Sequence, residues 1–561
     1  MSGYRTPLRR VLVANRGEIA VRVIHTCRRL GIETVLTVSD ADAGSLPARL
    51  ADRVTRIGAA AASASYLDVD AVVSAAVAAG VDAVHPGYGF LSENARLARA
   101  CAAAGVVFVG PSPETLEAAG DKLAAREHAT AAGLPVLPGG HVTAGAGVEN
   151  EAAGAGAENG AAGAGARNEA AGPGAAVPAA VPAVLAAAVP AAVVARRIGY
   201  PVLVKAAGGG GGRGLRVVRD PAELEHAVAL ASAEAAAAFG DPRVYLERYV
   251  ERGRHVEVQL LGDGDHVIHL GDRDCSVQRR YQKLIEEAPA PDLDDALRQR
   301  LRAAAVSLGE RLRYRGAGTV EFLVDADRRE FYFLEVNARI QVEHPVTEAV
   351  TGIDIVAEQF AIAEGRPLRL KQEDVTFGGH AVEVRVNAED ADADFRPSPG
   401  TITRAVFPAS PASTARPYHE MSGDVAARSA RHLPTGVTGA ASPTGATGAT
   451  AAGRVRVDTH LQAGATVPPY YDSLLAKVIA HGRDRAGALA ALRDALDRCA
   501  IDGVDTNLGL HRALLADPEF AAGGVDTGYL ARWLARDQKP PRDQKEHRDQ
   551  KEHGMEPEQH G

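Results

Sequence analysis

Two carboxylates facing each other across a hairpin, and an arginine–glutamate pair just downstream, are the residues of this chain best equipped for chemistry. The stretch TVEFLVDADRREFYFLEVN reads as a hairpin; with its turn centred near Arg328, Glu321 lies opposite Glu335 and Asn337 follows on the same face. Facing carboxylates repel unless a cation sits between them. Two carboxylates and an amide oxygen, completed by waters and phosphate oxygens, are what a magnesium-nucleotide site requires. An ordinary solvated strand face is the plain alternative. Immediately after comes ARIQVEHPVTE, where an extended chain puts Arg339, Gln341 and Glu343 on one face and Ile340, Val342 and His344 on the other. That face can grip a small planar anion such as bicarbonate through Arg339 and deprotonate it at Glu343. A local ion pair is the competing reading.

A second chemical feature is PVLVKAAGGGGGRGLRVV, a glycine run between two strand-like segments with Lys205 just ahead and Arg213 inside. Glycine lets a backbone approach phosphate oxygens. No GK[ST] follows, so a flexible flap over a nucleotide fits better than a Walker A loop, with a plain flexible turn as the alternative. Further candidates are Lys122, His255, Glu257, Gln278, Lys283 and Arg385, each of which also has a bland surface reading. Cys275 reads as a small buried apolar group. HPGYGFLSEN has turn glycines where a doubly wound sheet binds ligands, which puts Tyr88 at the border of the site.

The elements that must position these residues are legible in outline. RRVLVANRGEIAVRVIHTCRRLGIETVLTVSD reads strand, helix, strand, with Ile19, Val23, Cys27 and Leu30 at helical spacing and Gly31 as the stop. The pattern repeats, so residues 1–120 are expected to form a doubly wound parallel sheet. NRGEIA lacks GxGxxG, which argues against a dinucleotide. At 561 residues the chain exceeds one core, and three or four packed units are expected. The stretches 144–192 and 409–453 collapse to small residues and read as flexible insertions. Ala175 to Ala195 is uncharged, but Pro178, Pro182 and Pro190 interrupt it, so no membrane span is expected. The repeated RDQK of residues 536–561 describes a disordered tail. With 62 basic against 71 acidic residues no nucleic-acid surface is expected. Four scattered cysteines suggest neither zinc nor disulfides, and the cytoplasm is the expected compartment.

In order, HPGYGFLSEN, KAAGGGGGRG, RHVEVQ, RDCSVQRR, EEAPAP, GAGTVEFL, LEVNARIQVEHPVTE, RVNAED, PSPGTITR and VPPYYDSLLAKVI resemble the biotin carboxylase family. The resemblance spans nearly the whole chain outside the insertions and tail. It implies α/β and α+β architecture: a doubly wound domain (1–120), an ATP-grasp domain (121–364) with a mobile lid at about 139–255, and a mixed C-terminal domain (365–535). By resemblance, ATP falls to Lys122, Lys205, Gly211, Gly212, Glu247 and His255, with Tyr281 where the family usually has a histidine that contacts ATP. Two magnesium or manganese ions fall to Glu321, Glu335 and Asn337, bicarbonate to Lys283, Arg339, Gln341, Val342 and Glu343, and biotin to Arg385 and Tyr88. Ala338 is a second departure, the family usually having Thr or Pro there. The family uses biotin held on a carrier protein. Met occurs only at positions 1, 421 and 555, never before Lys, so the biotin carboxyl carrier protein and the carboxyltransferase are expected to be separate subunits. A homodimer is the family's common state. Another ATP-grasp ligase would share Lys122, Lys205 and the metal carboxylates, but need not have RIQVEHPVTE or Arg385. A non-catalytic partner subunit is the other rival.

Overall fold

Five short parallel strands open the chain: β1 (Arg10–Val13), β2 (Glu33–Ser39), β3 (Arg53–Gly58), β4 (Ala83–His85) and β5 (Val107–Phe108), in the order β3-β2-β1-β4-β5. This computed structural model describes residues 7–143, 189–207, 215–408 and 453–537. Helix α1 (Gly17–Leu30) follows β1 and buries Ile19, Val23 and Cys27, as their spacing predicts. Leu30, expected on that face, is exposed instead, because Gly31 turns left-handed at φ 73° and ends the helix one residue later. The strand order reverses between β1 and β4, the point at which doubly wound sheets take ligands. A cavity of about 120 Å³ opens there, lined by Asn15, Glu18, Tyr88 and Asp472 among others. Gly87 (φ 63°) makes the turn after β4 possible: a Cβ would lie 2.8 Å from Asn15 Nδ2, which ties the turn to Pro86 and Tyr88.

Residues 137–249 form a compact unit of their own. Its sheet contains β6 (Gly139–Thr143), β7 (Val189–Pro190), β8 (Val202–Ala206), β9 (Arg216–Val218) and β10 (Val244–Arg248), in the order β7-β6-β10-β8-β9. The alanine-rich stretch expected to run to residue 192 gives way sooner, since β7 leads into α2 (Ala191–Ile198). That helix buries Ala191, Val194, Ala195 and Ile198, an i, i+3, i+4, i+7 face that can join a core. The rest of that stretch, the flap with Gly211 and Gly212, the 409–452 segment and the tail after Asp537 lie outside the described residues. Tail residues Arg536 and Asp537 themselves complete a helix, Tyr529–Asp537.

The remaining chain builds one eight-stranded sheet from β11 (Gly253–Asp263), β12 (Val267–Arg279), β13 (Gln282–Ala288), β14 (Arg315–Asp325), β15 (Glu330–Asn337), β16 (His380–Asn387), β17 (Arg454–Thr459) and β18 (Leu474–Gly482). Its order is β15-β14-β11-β12-β13-β16-β18-β17, antiparallel throughout. The domain boundary expected near residue 365 therefore falls inside a continuous sheet, with β13 bonded directly to β16. His255, expected in the lid, lies on β11 of this sheet. The cysteines are free and buried. Among the described residues no helix is long and apolar enough to cross a membrane.

Candidate active site

Register puts the expected hairpin in place: Glu321 on β14 faces Glu335 on β15, and Thr319 faces Asn337, with a bulge beyond Glu321. The row continues across the sheet, because Glu257 on β11 faces both Glu321 and Arg273 on β12. Three carboxylates in line would repel strongly, so cations must stand over them. Lys283 supplies most of the compensation, its Nζ lying 2.6 Å from Glu257, 2.8 Å from Glu321 and 2.7 Å from Glu343. His255 Nε2 adds a contact of 3.2 Å to Glu321. Arg273, fully buried, donates to Glu257 at 2.5 Å and also to Gln259, Thr319 and Thr347.

The segment 338–343 is not the extended strand expected. Pro345 sits in the first turn of α3 (His344–Thr351), and that helix takes over after a turn at Val342 and Glu343. Arg339 and Gln341 still meet, Nη1 donating to Oε1 at 2.7 Å, and Gln341 Nε2 donates onward to Glu321 at 3.2 Å. Glu343 is delivered by the turn instead of by strand alternation. It is fully buried and accepts from Lys283 at 2.7 Å and from Arg385 Nη2 at 3.0 Å. Arg339 spans Asn337 Oδ1 (2.9 Å) and Glu93 Oε2 (3.0 Å).

The electrostatics follow from these contacts. Burial, the largest single effect, pushes the Glu321 and Glu343 carboxyls up, but it is outweighed by Lys283 acting together with His255 at Glu321 and with Arg385 and Arg273 at Glu343. Both are held well below the ordinary glutamate range. Burial would pull Lys283 down, yet its three carboxylates drive it well above the usual lysine value. His255 is likewise raised despite burial, chiefly by Glu321. Burial drives the Cys275 thiol far up, in keeping with a neutral, unreactive group.

The structure places the other expected residues as follows. Lys122 Nζ lies 3.8 Å from Glu335, and Gln278 pairs in register with Lys283. The Val342 carbonyl accepts from buried Lys477 at 2.9 Å; Lys477 in turn contacts Glu18 at 3.1 Å, and Tyr88 donates to the other oxygen of Glu18. Tyr281 occupies the apex of the two-residue β12–β13 turn with positive φ and is 48% exposed. In the 137–249 unit, Lys205 on β8 forms an ion pair with Glu247 on β10. Ala338 is buried, its N–H donating to Glu93 Oε1 at 2.9 Å.

Sequence reasoning did not single out Glu18, Glu93, Arg273, Glu286, Glu383 or Lys477. Each reads in the sequence as an ordinary polar position, and only the fold shows what surrounds its charge. Glu321, Glu335 and the Asn337 amide oxygen are hard oxygen donors of the kind a divalent cation takes, and Lys283 and His255 hold Glu321 ionised.

The chain is similar to known proteins along nearly its whole length. Residues 7–116 match the family model "Biotin carboxylase, N-terminal domain", residues 166–371 "Carbamoyl-phosphate synthase L chain, ATP binding domain", and residues 440–532 "Biotin carboxylase C-terminal domain". The chain is 42% identical to a biotin carboxylase of Nostoc sp. over 93% of its length and 98% of the relative's. It is 44% identical to that of Pseudomonas aeruginosa over 95% and 100%. It superposes on the Campylobacter jejuni biotin carboxylase solved as a β,γ-ATP complex with a TM-score of 0.76 and 38% identity, covering 94% of this chain and 99% of that one. The biotin carboxylase domain dimer of Hydrogenobacter thermophilus 2-oxoglutarate carboxylase, solved with MgADP, ADP and bicarbonate, gives 0.76 at 36%, covering 94% and 98%. A buried carboxylate row under one lysine, an Arg339–Glu343 loop beside it, and full-length similarity to these enzymes place the chain in the biotin carboxylase family.

Proposed function

We propose that this chain uses ATP and bicarbonate to carboxylate biotin, the first half-reaction of an acyl-CoA carboxylase. The observation that carries the reading is Glu343, buried and held between Lys283 and Arg385. Bicarbonate is an anion and draws on Arg339 and on Lys283, the main cation that keeps Glu343 acidic; sharing Lys283 raises the proton affinity of Glu343. Glu343 then takes the bicarbonate proton, and the oxygen freed attacks the γ-phosphoryl group in line, giving carboxyphosphate and ADP. Carboxyphosphate breaks down to carbon dioxide and phosphate, phosphate takes the ureido proton, and Arg385 stabilises the enolate oxygen while the ureido nitrogen adds to carbon dioxide.

Glu321, Glu335 and Asn337 would hold magnesium or manganese, which supplies charge neutralisation for the phosphates. Gln341 and Val342 complete the bicarbonate loop, and Tyr88 borders the biotin side. Lys122, His255 and Tyr281 are assigned to ATP, as are Lys205, Glu247 and the glycines Gly211 and Gly212. Biotin arrives on a separate carrier protein, a separate carboxyltransferase completes the reaction, and the chain forms a homodimer. The support for these assignments is the family pattern, and for the dimer the dimeric H. thermophilus domain.

ADP release measured with magnesium-ATP, with and without bicarbonate and free biotin, tests the reading. Release should require bicarbonate and rise further with biotin; full turnover without bicarbonate, or no response to biotin, would sink it. Arg385→Ala should damage the biotin-stimulated rate more than the bicarbonate-dependent one, because its role begins after carboxyphosphate forms. Equal losses would contradict that role.

A further inference from the structure

Beneath Arg385 lie two carboxyls with no part in the chemistry so far. Glu286 on β13 and Glu383 on β16 face each other directly in the ladder, so their side chains share one side of the sheet. Neither has any solvent exposure. Glu286 Oε1 accepts from Arg385 Nε at 2.5 Å. The three remaining oxygens, Glu286 Oε2 and both of Glu383, are buried without a hydrogen-bond partner. Two ionised carboxylates facing each other in a dry site repel strongly, and one proton on the pair removes that repulsion.

We propose that Glu286 is a positioning residue for the biotin half-reaction, fixing the Arg385 fork in its ionised form while Glu383, kept protonated, supports it from the opposite strand. The polarity of the pair follows from its surroundings. Glu286 has the guanidinium and so carries the charge; Glu383 has no donor and so carries the proton. The charged groups facing the pair are Arg385 on β16, Lys477 on β18, Lys283 on β13 and Glu343 at the start of α3. The neutral Cys275 thiol on β12 is the other titratable neighbour, and Val346, Val350 and Ile479 close the site with apolar surface. Burial pushes Glu286 up to about 7 against the pull of Arg385, and pushes Glu383 well above the ordinary range against Lys477. Protonation of Glu286 near neutrality would therefore loosen the fork from the acid side. Two further anchors act on the Arg385 backbone, whose carbonyl accepts from Asn507 Nδ2 at 3.0 Å and lies 2.7 Å from His511 Nε2.

The inference rests on Arg385 serving biotin. Its test is the ratio of biotin-stimulated to biotin-independent ADP release as a function of pH, which cancels ionisations in the ATP site. In the wild type the ratio should rise through about pH 7. Glu286→Gln should abolish that rise and lower kcat/KM for biotin about tenfold, mostly through KM, with a smaller fall in the biotin-independent rate. Glu383→Gln, whose amide donates as the protonated carboxyl does, should keep most of the biotin activity, and Glu383→Leu should lose it. Should Glu286→Gln be insoluble, infrared difference spectra of wild type against Glu383→Gln at about pH 8 must show the carbonyl stretch of a protonated carboxyl. A missing band, an unchanged pH rise in Glu286→Gln, or equal losses in both rates overturns the inference. If Arg385→Ala raises KM for biotin while Glu286→Gln does not, Arg385 keeps its role and only the inference falls. If neither variant touches biotin kinetics, both readings fall.

Discussion

Lys283→Met should reduce bicarbonate-dependent ADP release by about a thousandfold and destabilise the fold by about 3–5 kcal/mol. One ammonium, 12% exposed, stands between Glu257, Glu321 and Glu343. Removing it leaves buried carboxylates facing one another, and those with depressed pKa lose their largest source of compensation. The pH dependence has a definite sign. Glu321 and Glu343 are depressed in the folded state, so their stabilisation is present above about pH 4.5 and lost as pH falls through the folded values. The gap in unfolding free energy between wild type and variant should therefore be widest near neutrality and narrow on acidification. Lys283 itself is raised, so its contribution is complete below its unfolded value of 10.5 and does not fade in the physiological range. Denaturant melts at several pH values check this. A variant with wild-type stability at neutral pH would show that water replaces the ammonium.

Arg273→Met should be comparably damaging to stability, about 3–5 kcal/mol, because it strands a buried carboxylate. Arg273 has no solvent exposure and gives hydrogen bonds to four side chains across β11, β14 and α3. Lysine cannot reproduce a planar fork with that many donors, so Arg273→Lys should recover only part of the loss. Combining Arg273→Met with Glu257→Gln should recover more, since the stranded charge is then gone. If the double variant is no more stable than the single one, the cost lies in lost packing rather than in the charge, and urea midpoints of the three proteins decide it.

What could be read from sequence follows the range over which each signal acts. The Glu321–Glu335 facing and the position of Asn337 were legible because a hairpin is local and its period is two. The doubly wound sheet was legible because strand and helix alternate within a few dozen residues. The Arg339–Glu343 loop was read as a strand because its polar residues alternate; Pro345 in the first turn of a helix was the available counter-signal. The compensation of the carboxylate row was not legible. Arg273 and Lys283 share a hairpin, but no local pattern sets that hairpin beside β11 or brings β16 with Arg385 against it, and charges such as Glu286, Glu383 and Lys477 look like ordinary polar positions until register sets them face to face.

The unbroken sheet also constrains how this chain can be made. A ribosome releases β13 long before β16 and β18, which must arrive to cover its open edge and to bring Arg385 against Glu286. Until then the nascent chain exposes an unpaired strand with acidic side chains meant for a dry interior, a surface that invites association with other chains. Fragments cut near residue 365 should therefore fail when expressed singly and regain structure only when both halves are present together.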